Sequence, residues 1–226
     1  MRIVDLTVEL YDGFRSFPTH PKMVMMDAVT HAFSAPRYIP PCAGYASMLI
    51  ITPDHMGTHV DAPFHFDPKG KTIEAVPVEN LMGDGILIDL SGKELDQVID
   101  ADMIKAYLAD NNLTLKEGDI ALVRCWKGEW GEGDFHEVMG LDITGTKYLV
   151  ENGVKAIGTD MSILETSAAD MARTNHMFLL VENEIPIIEN LAHLGDLKEK
   201  RFQFIGLPLK IKGASGSPIR AIAIEA

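Results

Sequence analysis

Short apolar runs, each closed within a few residues by Gly, Pro or Asp, recur from one end of this 226-residue chain to the other. Met48-Leu49-Ile50-Ile51 and Gly85-Ile86-Leu87-Ile88 are examples. Runs of roughly four to eight residues bounded by turn formers read as strands, and few long 3.6-period stretches offset them. The expected class is α/β, mixed and strand-rich, in a single domain spanning 1–226. Strands are expected near Arg2–Glu9, Met23–Phe33, Ala46–Thr52, Gly85–Asp89, Asp119–Cys125, Lys155–Gly158, Pro186–Glu189, Phe202–Leu207 and Pro218–Ile224. Helical spacing predicts Asp102–Asn111, capped by Asp100 or Asp102, and Asp142–Asn152, ended by Gly153. A third helix is expected from about Ala168 to Asn183.

Charge narrows the partner. The chain carries 33 Asp plus Glu against 20 Lys plus Arg, a formal net charge of −13. Phosphate-rich partners are held by Lys and Arg, so nucleic acid and anionic membrane are excluded and a small molecule is the expected partner. No run approaches the roughly 20 apolar residues of a spanning helix. Asp5 and Glu9 interrupt the stretch that a secretory leader would need, and two widely spaced cysteines, Cys42 and Cys125, suit a reducing compartment. The expectation is a cytoplasmic protein without disulfides.

Chemistry concentrates in eleven residues, His55-Met56-Gly57-Thr58-His59-Val60-Asp61-Ala62-Pro63-Phe64-His65. His55 and His59 have the i, i+4 spacing of a helical zinc motif, but Gly57, two β-branched residues and Pro63 disfavour a helix. The segment reads as a turn running into a strand. In extended chain His59 and Asp61 share a face, and a bend at Gly57 brings His55 round to join them. Two imidazoles and a carboxylate on one face form a metal site with open positions, as a catalytic metal requires. Glu189 ends the apolar run Ile185-Pro186-Ile187-Ile188, where a carboxylate wants a partner.

The string His55-x-Gly57-Thr58-His59-x-Asp61-Ala62-Pro63-x-His65-Phe66 resembles the signature of the metal-dependent cyclase family, which includes bacterial kynurenine formamidase and isatin hydrolase. Tyr11-Asp12-Gly13, the segment Gly153 to Asp160, Ile187 to Leu191, Leu207 to Ile211 and Gly216 to Ala221 extend the similarity over nearly the whole chain. The resemblance implies a swivelling β/β/α fold and one or two divalent metals, Zn or Mn, though Co and Fe suit the same donors. It implies His55, His59 and Asp61 on the first metal, with Asp61 bridging to a second held by His176 and Glu189. His65 is implied as the catalytic acid/base, and the assembly as a homodimer or homotetramer. Thirteen positions separate His176 from Glu189, one more than the family pattern, and the surplus residue is expected in the Glu182-Asn183-Glu184 turn.

The expected function is metal-dependent hydrolysis of a non-peptide C–N bond, in an aryl formamide such as N-formylkynurenine or in a cyclic amide or imide. A lactone hydrolase, a lyase or dehydratase using the same metal, and a non-catalytic binding module are the competing readings. Phe14, Phe17, Phe66, Trp126 and Trp130 are candidates for an apolar wall. His20 and the Lys127–Asp134 loop read as ordinary loop residues, and Ser162 and Ser167 have no nucleophilic role.

Overall fold

A strand that is apolar at every position, without alternation, needs cover on both faces. Ile120-Ala121-Leu122-Val123 is such a run, and all four residues are buried. The computed structural model describes residues 1–167 and 169–226. Its strands are β1 (Arg2–Asp5), β2 (Val24–Val29), β3 (Ser47–Ile51), β4 (His59–Asp61), β5 (Met82–Asp89), β6 (Ile120–Arg124), β7 (Ala156–Thr159), β8 (Ile187–Glu189), β9 (Arg201–Ile205), β10 (Gly216–Pro218) and β11 (Ile222–Glu225). Its helices are the single turn α1 (His31–Ser34), then α2 (Ala101–Asp110), α3 (Ile143–Glu151) and α4 (Thr174–His176), which runs on as a π-helix, Met177–Glu182.

One sheet has the order β1-β11-β9-β5-β6-β7-β8-β4-β10, and β2 pairs with β3 as a separate ribbon. β5, β6, β7 and β8 are parallel neighbours. Parallel strands need a crossover, which α2 supplies between β5 and β6 and α3 between β6 and β7. Ile120 and Leu122 pack into one core with Ile188, Phe202 and Phe204, while Ala121 and Val123 pack into the other beneath Ile104, Leu149 and Leu180. The sheet is therefore a filled middle layer. At its far end β4 adds antiparallel to β8 and β10 antiparallel to β4, and this is where the histidine motif falls.

Both crossover helices begin where the sequence places them. Asp100 accepts a hydrogen bond from Met103 N at 2.8 Å, and Asp142 from Thr144 N and Gly145 N, so Asp100 rather than Asp102 is the first cap. Gly153, with φ +84°, follows α3 as expected. The strand expected to reach Phe33 stops at Val29, because Thr30 caps α1 by accepting from Phe33 N. The strand expected over Pro218–Ile224 is two, β10 and β11, separated by Ile219–Ala221, where Ile219 forms only an isolated bridge with Pro208. Of the third expected helix, its start at Ala168 lies outside the described residues, and the described helix begins at Thr174. Among the described residues no helix is long and apolar enough to cross a membrane.

Candidate metal centre

Gly57 makes the first bend. Its φ of +60° is left-handed, which glycine adopts without penalty, and a Cβ there would lie 2.5 Å from Leu10 Cδ2. Beyond the bend His59, Val60 and Asp61 run extended as β4, so His59 and Asp61 share one face while Val60 packs in the core on the other. Register then fixes the neighbours: His59 lies opposite Glu189 on β8, and Asp61 opposite Gly216 on β10.

Asp61 is the hub. Its Oδ1 lies 2.7 Å from His55 Nδ1 and 3.2 Å from His59 Nε2, and its Oδ2 lies 3.5 Å from His176 Nε2. Glu189 Oε2 is 3.6 Å from His59 Nε2, and its Oε1 is 3.4 Å from His176 Nε2. His55, His59, Asp61, His176 and Glu189 are all buried. His55, Asp61 and His65 each bring one ligand atom within 4.8 Å of the others, and so do His59, Asp61 and Glu189. These two groups share Asp61. His176 faces the second group. His65 stacks on His55 with ring centroids 4.0 Å apart.

An outer layer of polar groups orients these rings. His176 Nδ1 is held 2.8 Å from Glu165 Oε1, and the buried Glu165 carboxylate also accepts the Asn175 and His176 backbone N–H groups. His55 Nε2 lies 2.8 Å from Ser215 Oγ, which donates to Asp54 Oδ2. His59 Nδ1 lies 2.8 Å from Gly57 O, to which Asn190 Nδ2 also donates. Glu189 Oε1 accepts from Leu164 N at 2.7 Å. Sequence reasoning missed Glu165, Ser215, Asp54 and Asn190. The faint signals were the apolar pair Ile163-Leu164 before Glu165 and the pair Leu191-Ala192 after Asn190.

The helix after His176 is wound with i→i+5 spacing over Met177–Glu182, and a π turn holds one residue more than an α turn. Leu179 and Leu180 stay buried, and His176 stays on the site.

Burial and neighbouring charge pull the groups of this cluster in opposite directions. Burial works against a charged His59, yet Asp61 and Glu189 beside it push its pKa up to about 9. His176 is likewise raised, its burial outweighed by Asp61, Glu165 and Glu189. Burial would raise Asp61, but His55 and His59 hold it well below the usual carboxylate range. His65 moves the other way: burial, and the positive charge available to His55 and His176, lower it to about 4 despite Asp61. It is neutral at pH 7.

The donor set fits a divalent cation. Imidazole nitrogens and carboxylate oxygens converge, and Asp61 Oδ2, wholly buried, accepts no hydrogen bond. A buried carboxylate oxygen without a hydrogen bond is costly unless a positive charge satisfies it.

Above the cluster opens a cavity of about 240 Å³, lined by His55, His59, His65, His176 and Glu189 at its base. Phe17, Phe66 and Ile163 form apolar wall, with Ser162 among them. The remaining aromatic candidates sit elsewhere: Trp130 stacks on Phe14 at 5.9 Å and packs beside Phe135, and Trp126 Nε1 donates to Glu129 O within the Lys127–Asp134 loop. His20 lines the cavity, and its Nδ1 is buried without a hydrogen-bond partner, so it is more than a solvated loop residue. His31, His136 and His193 are absent from this lining.

The Cyclase family model matches residues 4–166, a span that holds the whole His55–His65 motif and ends before His176 and Glu189. A kynurenine formamidase of Bacillus cereus is 31% identical over 169 residues, covering 74% of this chain and 75% of its own. Isatin hydrolase A from Labrenzia aggregata, solved with benzyl benzoate, is 22% identical with a TM-score of 0.80, covering 98% of this chain and 93% of that one. A second isatin hydrolase, bound to the product analogue thioisatinate, is 23% identical with a TM-score of 0.81, covering 98% and 91%. These structures share the mixed α/β fold with its strand-rich sheet.

Proposed function

This chain belongs to the cyclase family, and on that premise we infer that it is a metal-dependent hydrolase of a non-peptide C–N bond. The bond lies in an aryl formamide such as N-formylkynurenine, or in a cyclic amide or imide. The observation that carries the reading is Asp61, a buried carboxylate shared by two groups of metal-ligating side chains at the base of an open cavity. The kynurenine formamidase and isatin hydrolase relatives support the substrate class.

His55, His59 and Asp61 would hold one ion, and Asp61, His176 and Glu189 a second, which leaves His65 to carry protons. Imidazole and carboxylate donors suit Zn or Mn, and one ion or two. Bound there, a divalent ion supplies Lewis acidity, polarising a carbonyl and lowering the pKa of water from about 15.7 to about 7. Glu165 fixes the His176 ring, and the Ser215–Asp54 pair fixes His55, so the donors are oriented before substrate arrives. His65, neutral at pH 7, accepts the proton that attacking water gives up and returns it to the departing nitrogen. Phe17 and Phe66 wall the cavity on the side a flat ring would occupy.

The test is metal-reconstituted protein assayed on N-formylkynurenine, isatin and small cyclic imides, with His65→Ala alongside. Turnover with oxygen from labelled water in the product is expected. Product without that label indicates a lyase instead, and undiminished turnover by the variant removes His65 from proton transfer.

We also propose that copies of the chain associate through the β2–β3 ribbon as a homodimer or homotetramer. Met48, Leu49, Ile50 and Ile51 are each about half exposed on one short strand, with Met26 exposed on its neighbour. A contiguous apolar patch of this kind marks an interface. Light scattering of Leu49→Asp against the unaltered chain tests it. The two free thiols support a cytoplasmic location.

A further inference from the structure

A second cavity, of about 300 Å³, lies against the one above the candidate metal centre. Phe17, Ser162 and Ile163 line both, so the two spaces share a wall. The second is mostly apolar: Pro18, Val138, Met139 and Met161 join Phe17 and Ile163 in its lining. Methionine thioethers adapt to irregular shapes and make favourable contacts with aromatic rings. His136 and Glu137 also belong to the lining and are exposed, so this cavity meets the surface.

The backbone that supplies these walls is fastened. Met139 N donates to Leu95 O at 2.9 Å, and Gly140 N donates to Thr166 O at 3.1 Å, which ties the segment after Glu137 to the segment 161–167. Gly140 permits that approach, because a Cβ there would collide with Glu165 O, a backbone atom. On the other segment Leu164 N donates to Glu189, and the Glu165 carboxylate holds Asn175 and His176. The space is thus formed before a ligand arrives, which spares the ligand the entropy of ordering it.

Charge and volume select the occupant. Among the described lining residues there is no Lys or Arg, while Glu137 and Glu165 are present and the chain carries −13, so an anion is disfavoured. Neither carboxylate calls for a cation. Glu165 is buried and already accepts three hydrogen bonds, and Glu137 is exposed, where solvent screens its charge. A neutral apolar group remains. An apolar cavity of about 150 Å³ holds a benzene ring. The 240 Å³ above the metal centre therefore suits one ring with its reacting group, and the 300 Å³ beside it suits another ring or a short alkyl chain.

We propose that this second cavity is a binding subsite for a neutral apolar group, an aromatic ring or a short alkyl chain, that the substrate carries in addition to the ring at the metal centre. That the group belongs to the substrate rests on the hydrolase reading; the binding of a neutral apolar ring does not. Met139 lines the second cavity and not the first, and Phe66 lines the first and not the second, so the two residues tell the spaces apart.

Titration of the metal-reconstituted protein with 4-fluorotoluene, followed by fluorine NMR, reads the subsite without turnover. Saturable binding is expected. Met139→Glu, which puts a charge into the space, and Met139→Trp, which fills it, should each weaken binding about tenfold or more, the least that burying one ring is worth. Phe66→Ala should retain it. Each variant is checked for an unchanged melting profile and metal content. Formanilide is then compared with its ortho, meta and para benzyl derivatives. At least one benzyl isomer should have a KM about tenfold or more below that of formanilide, and Met139→Glu should remove this advantage while leaving formanilide unmoved. No saturable binding, or binding that the Met139 variants keep, overturns the subsite. No advantage for any benzyl isomer, or equal effects of Met139→Glu on all the formanilides, overturns its use by the substrate. If no formanilide is hydrolysed, the hydrolase reading fails, and the fluorine titration still decides whether the cavity binds a neutral apolar ring.

Discussion

His59 and Glu189 are partners in the antiparallel register of β4 and β8, and their side chains meet, Nε2 to Oε2, at 3.6 Å. Directly opposed residues of antiparallel strands keep Cβ atoms about 4.5–5.5 Å apart. The spacing of these two donors is thus set by the sheet rather than by a loop, while His176 reaches the same carboxylate from a helix.

Glu189→Gln tests that arrangement with little change of shape. The Gln carbonyl can still accept from Leu164 N, but the negative charge beside His59 and His176 is gone. Metal content by elemental analysis after gel filtration should fall, and turnover should fall by more than about 100-fold, the upper end of what losing an outer partner costs. Full metal content with full activity would remove Glu189 from the centre.

Glu165→Gln probes the layer behind His176. The carboxylate accepts three hydrogen bonds from Asn175 and His176, and its charge holds the His176 ring. Metal affinity, measured by competition with a chromogenic chelator, should drop by about 10–100-fold while the fold persists. An unchanged affinity would mean that His176 takes no part in binding metal.

Gly216→Ala is a packing test at the edge of the site. A Cβ there would sit 2.7 Å from His55 Cε1 and 2.7 Å from Val60 O, a backbone atom that cannot swing away. Overpacking of this kind costs about 1–3 kcal/mol, so the urea midpoint should shift downward and His55 should lose its contact with Asp61. Wild-type stability together with wild-type metal content would show that β10 yields more than this geometry allows.

Asp160 gives a pH signature away from the metal centre. Burial raises its pKa to about 6 although Cys125 N and Trp126 N donate to it. Its folded pKa exceeds the ordinary 3.8, so the folded chain binds this proton more tightly than the unfolded chain does. That contribution is complete below about pH 4 and is lost as pH rises through about 6, amounting to about 3 kcal/mol at most. Asp160→Asn cannot ionise, and should therefore gain stability relative to the unaltered chain between those pH values in urea titrations. Parallel pH profiles for the two proteins would contradict the assignment.

Much of the site is local in sequence, and for that reason it was legible. Eleven consecutive residues hold the bend, the strand and its two facing donors, and alternation alone predicts which of them share a face. Glu189 was legible as an acid ending an apolar strand. Ser215 and Asp54 were not, because each is an ordinary loop residue until folding brings Ser215 to His55, 160 positions away. Glu165 is faint for the same reason, its partner His176 lying eleven positions on. The π-helical winding after His176 escapes local propensity, which does not distinguish i→i+4 from i→i+5 bonding. The run Met48–Ile51 forms the expected strand, yet an apolar run reads as buried and every residue of β3 is exposed; what covers a strand is a tertiary fact.

The position of β4 between β8 and β10 has a consequence for the order of events during synthesis. Its own residues emerge early, whereas its two flanking strands, Ile187–Glu189 and Gly216–Pro218, emerge more than a hundred residues later. Contacts of such long sequence separation are closed late and slowly. A growing chain therefore exposes its three clustered imidazoles well before the strands that confine them exist, and a nascent chain can hold metal only loosely until β8 and β10 arrive. In a chain that binds metal there, tight retention would report that β8 and β10 have docked on β4.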